Sequence, residues 1–424
     1  MVEVSQMSSL QRPLRAGARE LSPSHLQLLL SRVSQIPSLR DKYLSTRDGP
    51  RQPLTLATLP VLTRNELVAA TDELLRGKGP GEGSVVYAGG GTLSRPSMSL
   101  LPGGLFVEEV HQVWRALRPG DVLANFFPAG REWATHSFYN RFATHAGASL
   151  LPVGDLPEDE FDRWLSFCAD YGANALAAPP HLLRRLLRHR AAGHQLPWLR
   201  KLLIGGAFHD RTPLDEIGEL LPDVAVWQLY GSAEAWLVGH RGPRCAEAVF
   251  HLLPHQYAEI DEGRLLITTV GADEAPPLIR YVIGDRGAVV DCPCDRPGTA
   301  VRVLDAIGPA LRFQGGRVWA RELVELALET AEVVGAQVAV VRGDGETHLE
   351  LRVRLADGVP DDQYTREWIR HRALNGHLAL DPTIAEDADR FHVVAVDRLH
   401  DCGRAEPPPL VVTRDGEGHV AEVP

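Results

Sequence analysis

From residue 105 to residue 330, segments with a helical apolar pattern alternate with short apolar runs. A chain built this way buries both only by layering helices over a sheet. VEEVHQVWRAL reads as a helix and DVLANFF as a strand. FYNRFATHAG reads as a helix ending at Gly147, followed by the strand ASLLPVG. DEFDRWLSFCADYG ends at Gly172 and leads into ANALAAPP; HLLRRLLRHRAAG leads into LRKLLIGGA, and VAVWQLYGSAE completes the series. This spacing predicts an α/β fold with a largely parallel sheet. GRLLITTV, PLIRYVIG and AVVDCP then read as antiparallel strands that close the region.

Upstream, residues 20–46 read as helical, with Ser22 and Pro23 as cap and first-turn residue. Thr63 is placed to cap a helix that starts at Arg64. SVVYA reads as a strand running into Gly89, Gly90 and Gly91. After about residue 300, RVLDAI, ARELVELALET, AQVAVVRG, HLELRVRL, a helix at 362–374 and HVVAVDRL suggest a small α+β unit. The expected organisation is a large α/β domain over 1–303 and a small α+β lid over 304–424, with the cleft between them. Pro407, Pro408 and Pro409 exclude a helix in the tail. No internal repeat of solenoid period is present.

Charge and composition remove several function classes. The net charge of −11 gives no electrostatic reason for nucleic-acid or anionic-membrane binding. No apolar run approaches the ~18–20 residues of a transmembrane helix. The N-terminus lacks the apolar core of a signal peptide. Five cysteines in 424 residues do not make a disulfide framework, so a reducing, cytoplasmic setting is expected. Lysine is nearly absent: Lys42, Lys78 and Lys201 are the only ones among 44 Lys+Arg residues. Any lysine-dependent chemistry therefore has three candidates, all in the first half of the chain.

Four stretches can carry chemistry. Gly89, Gly90 and Gly91, with Thr92, Ser94 and Arg95 behind them, offer backbone N–H groups and donors to an anion; the same stretch also reads as a surface linker. It is not a Walker loop, because no Gly-Lys-Ser/Thr closes it. Gly205 and Gly206 end a strand where a flat ring can approach the backbone. Tyr230, Gly231, Ser232 and Glu234 bring an aromatic, a tight turn and a carboxylate to the carboxyl edge of the sheet, where open α/β sheets bind ligands. There Tyr230 suits stacking on a base and Glu234 suits Mg²⁺, unless they are a core tyrosine and a surface glutamate. Asp285 follows an apolar strand and Gly284, placed either to grip a ribose diol or to cap a turn.

In their order and spacing, YAGGGTLSRPS, LLIGGA, LYGSAEA and PLIRYVIGDRG resemble the core motifs of the adenylate-forming superfamily: acyl-CoA synthetases, nonribosomal adenylation domains and luciferases. TLPVLTRNEL and the short chain resemble the phenylacetate–CoA ligase-like branch. GDVLANFFPAGREWATHSFYNRF is similar to the subgroup linked to phenazine-antibiotic biosynthesis. The resemblance spans roughly residues 50–330. It implies an N-terminal domain that binds ATP and a carboxylic acid, and a small C-terminal lid that rotates between half-reactions. By that resemblance Gly89, Gly90, Gly91 and Thr92 line the triphosphate. Gly205, Gly206 and Tyr230 enclose adenine, with Gly231 and Ser232 forming the motif turn. Glu234 faces Mg²⁺ and Asp285 the ribose. The implied partners are a small carboxylic acid and CoA, a carrier-protein thiol or an amine; a second copy of the chain is a further candidate partner.

The departures matter as much. Ser97 stands where the phosphate loop usually closes with lysine, Ala207 where a glutamate follows the paired glycines, and Ala233 where a threonine precedes the motif glutamate. The hinge motif appears as Asp305-Ala306-Ile307-Gly308-Pro309, without its arginine or its usual aspartate. The C-terminal catalytic lysine has no counterpart after Lys201; Arg404 is the nearest cation at its place. Two functions follow. The first is an adenylate-forming ligase for a small, aromatic carboxylic acid in specialised metabolism. The second is a homologue that does not adenylate, and instead takes a pre-activated acyl group or acts as a binding or scaffold protein. A nicotinamide-binding enzyme is disfavoured, because no GxGxxG follows the early strand.

Cys245-x5-His251 and, about 40 residues on, Cys292-Pro-Cys294 make a candidate Cys₃His zinc set. With 17 histidines in the chain, a chance His near a Cys is the competing reading. Similar spacings at this point in the phenylacetate–CoA ligase-like branch add to the metal reading.

Overall fold

The computed structural model describes residues 21–44, 55–79, 81–91, 96–129, 134–154, 156–193, 196–205, 212–294, 296–306, 310–313, 316–342, 347–377, 391–400, 410–414 and 417–422. Helix α1 (Pro23–Val33) starts at Ser22, whose side chain accepts from the His25 N–H, and Pro37 begins α2 (Pro37–Leu44). Helix α3 (Arg64–Lys78) is closed by a capping box in which Thr63 and Glu66 satisfy each other's backbone N–H groups. Strand β1 (Ser84–Gly91) pairs antiparallel with β2 (Pro96–Pro102). Gly89–Gly91, read from the sequence as a loop, instead continue β1, with a register shift between Ala88 and Gly91. Thr92 and the rest of the turn lie outside the described residues.

Helix α4 (Val107–Val113) precedes the alternating series β3 (Val122–Asn125), α5 (Ala134–His145), β4 (Ser149–Pro152), α6 (Glu158–Asp170), β5 (Ala175–Ala178), α7 (Pro180–Ala191), β6 (Lys201–Gly205), α8 (Thr212–Leu220) and β7 (Ala225–Ser232). Antiparallel strands follow: β8 (Trp236–Arg241), β9 (Val249–Leu252), β10 (Gln256–Asp261), β11 (Arg264–Thr269), β12 (Tyr281–Val290) and β13 (Ala300–Ala306). Together they form one eleven-stranded sheet in the order β10-β11-β12-β13-β9-β8-β7-β6-β5-β3-β4, with β4 to β7 parallel.

Burial on both faces explains why the parallel strands read as continuous apolar runs. Leu123, Ala175, Ala177, Leu203 and Leu229 face a core with Trp114, Phe138 and Phe142 of α4 and α5. Ala124, Leu176, Ala178, Leu202 and Ile204 face the opposite core with α6, α7 and α8. Alanine is a poor strand former, yet all four residues of β5, ALAA, are buried in a strand. Each fully buried Leu or Phe around it stabilises by about 1.5–3 kcal/mol, more than the ~1 kcal/mol span of strand propensity. Tertiary burial therefore places β5.

The chain leaves this sheet after β13. A hairpin of β14 (Ala310–Phe313) and β15 (Gly316–Trp319) leads into α9 (Ala320–Leu328). Then β16 (Val333–Arg342), β17 (Thr347–Leu355), α10 (Gln363–Gly376), β18 (Phe391–Ala395), β19 (Leu410–Arg414) and β20 (Glu417–Glu422) follow. The last five strands make a separate sheet ordered β18-β17-β16-β19-β20, with its own core against α9 and α10. Strand β13 stays paired to the first sheet as far as Ala306, opposite Asp285, so a division at 303/304 cuts through it. Ile307–Pro309 of the hinge stretch lie outside the described residues. Among the described residues no helix is long and apolar enough to cross a membrane.

Candidate functional site

Strand β7 turns sharply into β8 at the carboxyl end of the parallel strands, with Ser232 facing Trp236 across the ladder. The turn is possible because residue 231 is glycine: a Cβ there would sit 1.7 Å from the Trp236 carbonyl oxygen. Trp236 itself takes a left-handed φ of 54°, and its indole N–H donates to the Leu105 carbonyl at 3.1 Å. The Ser232 hydroxyl accepts from the Ala235 N–H at 3.0 Å, which fixes the turn that carries Glu234.

The motif expectation sets Tyr230 against adenine and Asp285 against ribose. In the structure both side chains are fully buried and bound to each other, with the Tyr230 hydroxyl donating to Asp285 Oδ2 at 2.6 Å. The Tyr230 ring packs against Phe250 at 5.2 Å. In this arrangement the pair forms the wall beneath the site, and neither presents a free face.

Glu234 is the motif carboxylate nearest the cleft, with its side chain only 8% exposed. Its partner is Arg64, whose Nε donates to Glu234 Oε1 at 3.2 Å. The same guanidinium reaches Glu322 Oε1 of α9 at 3.0 Å and lies 4.8 Å above the Trp319 ring. Glu322 also meets His377 Nε2 at 2.9 Å. Burial acts to raise the Glu322 pKa, but His377 and Arg64 outweigh it and hold the carboxylate below its usual range. The β7–β8 turn and helix α9 thus converge on one guanidinium. The sequence reading did not single out Arg64, Glu322 or His377, and only the position of Arg64 directly after a helix cap was visible there.

Gly205 ends β6 in close contact with Phe127: a Cβ there would lie 2.9 Å from the Phe127 ring and 3.6 Å from the Tyr139 hydroxyl. Beside it, Asn125 Nδ2 donates to Asn140 Oδ1 at 2.8 Å and to the His136 carbonyl at 3.1 Å. His136 Nδ1 lies 2.7 Å from the Phe127 carbonyl. The Tyr139 ring stacks on Phe127 at 4.8 Å, and its hydroxyl is buried with no partner among the described residues. Burial raises the Tyr139 pKa, so the phenol stays neutral. A pocket partly open to solvent is lined by Arg32, Thr71, Ser99, Phe106, Glu234 and Trp236 among others.

Gly206 and Arg404 lie outside the described residues. Of the three lysines, Lys201 holds Asp121 Oδ2 at 2.6 Å and the Ala116 carbonyl at 3.0 Å, while Lys42 holds Glu66 at 2.5 Å. Both have structural partners away from Glu234.

The Cys/His stretches do meet. One ligand atom from each of Cys245, His251, Cys292 and Cys294 falls within 4.8 Å of the others. Cys245 Sγ lies 3.6 Å from Cys294 Sγ, close to the ~3.8 Å edge of a tetrahedron with Zn–S of ~2.3 Å. His251 Nε2 lies 3.1 Å from Cys294 Sγ, and its buried Nδ1 has no partner among the described residues. Burial pushes the Cys245 thiol up, whereas N–H groups of Cys294 and Ala246 overcome burial and hold Cys292 below the usual thiol value. The donor set and spacing fit a closed tetrahedral zinc site.

Residues 100–267, from β2 into β11, match the family model of the AMP-binding enzymes. No curated protein sequence matches the chain. Among solved structures, 2-hydroxyisobutyryl-CoA ligase with 2-HIB-AMP and CoA in its thioesterification state has a TM-score of 0.72 at 16% identity, covering 93% of this chain and 91% of that one. The same ligase in an open conformation scores 0.56 at 16% identity, covering 92% and 90%. The amide bond synthetase of Marinactinospora thermotolerans scores 0.54 at 18% identity, covering 75% and 66%. At these identities the likeness establishes the fold.

Proposed function

We propose that this chain is an adenylate-forming ligase, on the premise that residues 100–267 form an AMP-binding enzyme domain. One observation carries the reading: the Gly231 turn, Glu234 and the Tyr230–Asp285 pair gather at the carboxyl end of the parallel strands, inside the matched segment or paired to it. In the first half-reaction a carboxylate oxygen of the acid attacks the α-phosphorus of ATP, and pyrophosphate leaves with the bonding electrons. In the second, a thiol or amine attacks the acyl carbonyl, loses its proton and expels AMP.

Glu234 is the residue to hold Mg²⁺, which takes one or two carboxylates together with substrate phosphates. When bound, the metal neutralises charge on the phosphates. Gly89–Gly91 and Thr92 approach the phosphates, and Gly205 and Gly206 the base. We take the acid to be small and aromatic from the motif likeness alone. The acceptor is CoA, a carrier-protein thiol or an amine, a reading supported by the likeness in fold to a CoA ligase and to an amide bond synthetase. The motif likeness supports a reading in the phenylacetate–CoA ligase-like branch, acting in the cytoplasm in antibiotic biosynthesis.

Zinc at Cys245, His251, Cys292 and Cys294 is structural in this reading, because four protein ligands leave no open position. The Arg241 guanidinium, largely buried beside Cys245, Glu247 and Cys292, offsets the negative charge of three thiolates.

Hydroxylamine trapping tests the function. Acid-dependent, Mg·ATP-dependent formation of a hydroxamate supports it. The second reading is favoured by one fact, that no lysine follows Lys201. No hydroxamate from any free acid, with turnover of a preformed acyl-adenylate or thioester, establishes that reading instead.

A further inference from the structure

Arg64 is the one described side chain shown to bind carboxylates on both sides of the cleft: Glu234 at 3.2 Å and Glu322 at 3.0 Å. All three side chains are at most 15% exposed, so these contacts are only weakly screened. The Trp319 ring under the guanidinium and His377 on the far side of Glu322 fix the second half of the bridge. A guanidinium suits this task because its planar fork presents separate N–H groups to two acceptors.

We infer that Arg64 is a positioning residue that docks the C-terminal unit onto Glu234, so that docking and occupation of Glu234 by a divalent cation exclude each other. This rests on the adenylation reading for the role of Glu234. The chemistry is competition for one carboxylate. Docked, Glu234 has a monovalent counter-ion delivered together with Trp319 and α9. A dication on the same carboxylate lies within a few ångströms of Arg64 and repels it, which weakens its grip on Glu322 as well. Linkage then works in both directions: Mg·ATP loosens the C-terminal unit, and docking lowers Mg·ATP affinity by the same factor.

An independent comparison supports the docked arrangement as one state of two. Coverage and identity are nearly equal for the two forms of 2-hydroxyisobutyryl-CoA ligase, yet the score is 0.72 for the thioesterification state and 0.56 for the open one. We take the higher score as consistent with the docked setting of the two units.

The test uses the isosteric variant Glu322→Gln, which removes the second arm of the bridge without touching Glu234. Dyes introduced through unnatural amino acids at the exposed positions 171 and 364 report the distance between the units, and calorimetry reports Mg·ATP binding. Without nucleotide, Glu322→Gln should lengthen the dye distance, and its Mg·ATP affinity should rise about tenfold over wild type, within the usual range of such couplings. Arg64→Gln should behave alike. General damage to the fold does not tighten a ligand, so the gain separates positioning from structure. An unchanged dye distance overturns the bridge, and undocking with unchanged affinity overturns the exclusion. If neither protein binds Mg·ATP, the adenylation reading fails and the exclusion falls with it, while the dye distance still decides the bridge.

Discussion

The Tyr230 hydroxyl donates to Asp285 Oδ2 across 2.6 Å, joining two motifs that lie 55 residues apart in the sequence. Both residues are fully buried. Removing a donor from a buried polar group costs about 1–3 kcal/mol. Tyr230→Phe should lower the unfolding free energy by that amount in a denaturant titration. A loss under about 0.5 kcal/mol, the floor for ordinary hydrogen bonds, would show that the bond does not hold the wall of the site together.

Gly231→Ala should be far worse than its one added methyl suggests. The new Cβ meets the Trp236 carbonyl, a backbone atom of the ladder that cannot rotate away. Overpacking of this kind costs about 1–3 kcal/mol or more. Gly218→Ala in α8 is the control: nothing lies within 4 Å of its Cβ, and a helical Gly-to-Ala change stabilises by about 0.5–1 kcal/mol. Thermal melts of the two variants should move in opposite directions, and melts moving together would contradict the turn geometry.

Metal content is checked by elemental analysis. One zinc per chain is expected, and chelation should lower the melting temperature. Cys294→Ser should lose the metal, because Cys294 Sγ contacts both Cys245 and His251. Metal-free protein with an unchanged melting temperature would leave the four residues without a metal role.

Acid stability follows from Asp121. Burial acts to raise its pKa, but Lys201, the Arg118 N–H and Asn174 outweigh it, and the folded value lies below the usual one. An unfolded aspartate titrates near ~3.9. The stabilisation is therefore complete above about pH 4 and is lost as pH falls through the depressed folded value. Asp121→Asn should be less stable than wild type at neutral pH, and the gap should close as pH falls through the depressed folded value. A gap independent of pH would contradict the assignment.

Local features of this fold were legible in the sequence. Thr63 and Glu66 sit three residues apart, and the capping box they form needs nothing beyond that spacing. The α/β alternation and the pairing of two Cys/His stretches were equally visible. Gly89–Gly91 misled because glycine permits a loop without requiring one; pairing such as Ala88 with Met98 and Gly91 with Pro96 keeps them in a strand. Arg64 was hidden for a different reason. Its partner Glu234 is 170 residues away, and an arginine after a helix cap carries no local mark of a distant carboxylate. Tyr230 and Asp285 were each visible as motif residues, but their mutual burial depends on how β7 and β12 pack.

ATP–pyrophosphate exchange across a panel of aryl acids tests the central claim most directly. By the motif likeness Arg404 is the nearest cation to the expected place of a lid lysine, and both Lys42 and Lys201 are held in structural ion pairs. Loss of one preorganised transition-state cation costs about 10²–10³ in rate. Exchange should therefore be acid-dependent but slow, by roughly that factor relative to a lysine-bearing ligase assayed alongside. No acid-dependent exchange at saturating Mg·ATP would contradict adenylate formation, and exchange as fast as the lysine-bearing ligase would contradict the account of the missing cation.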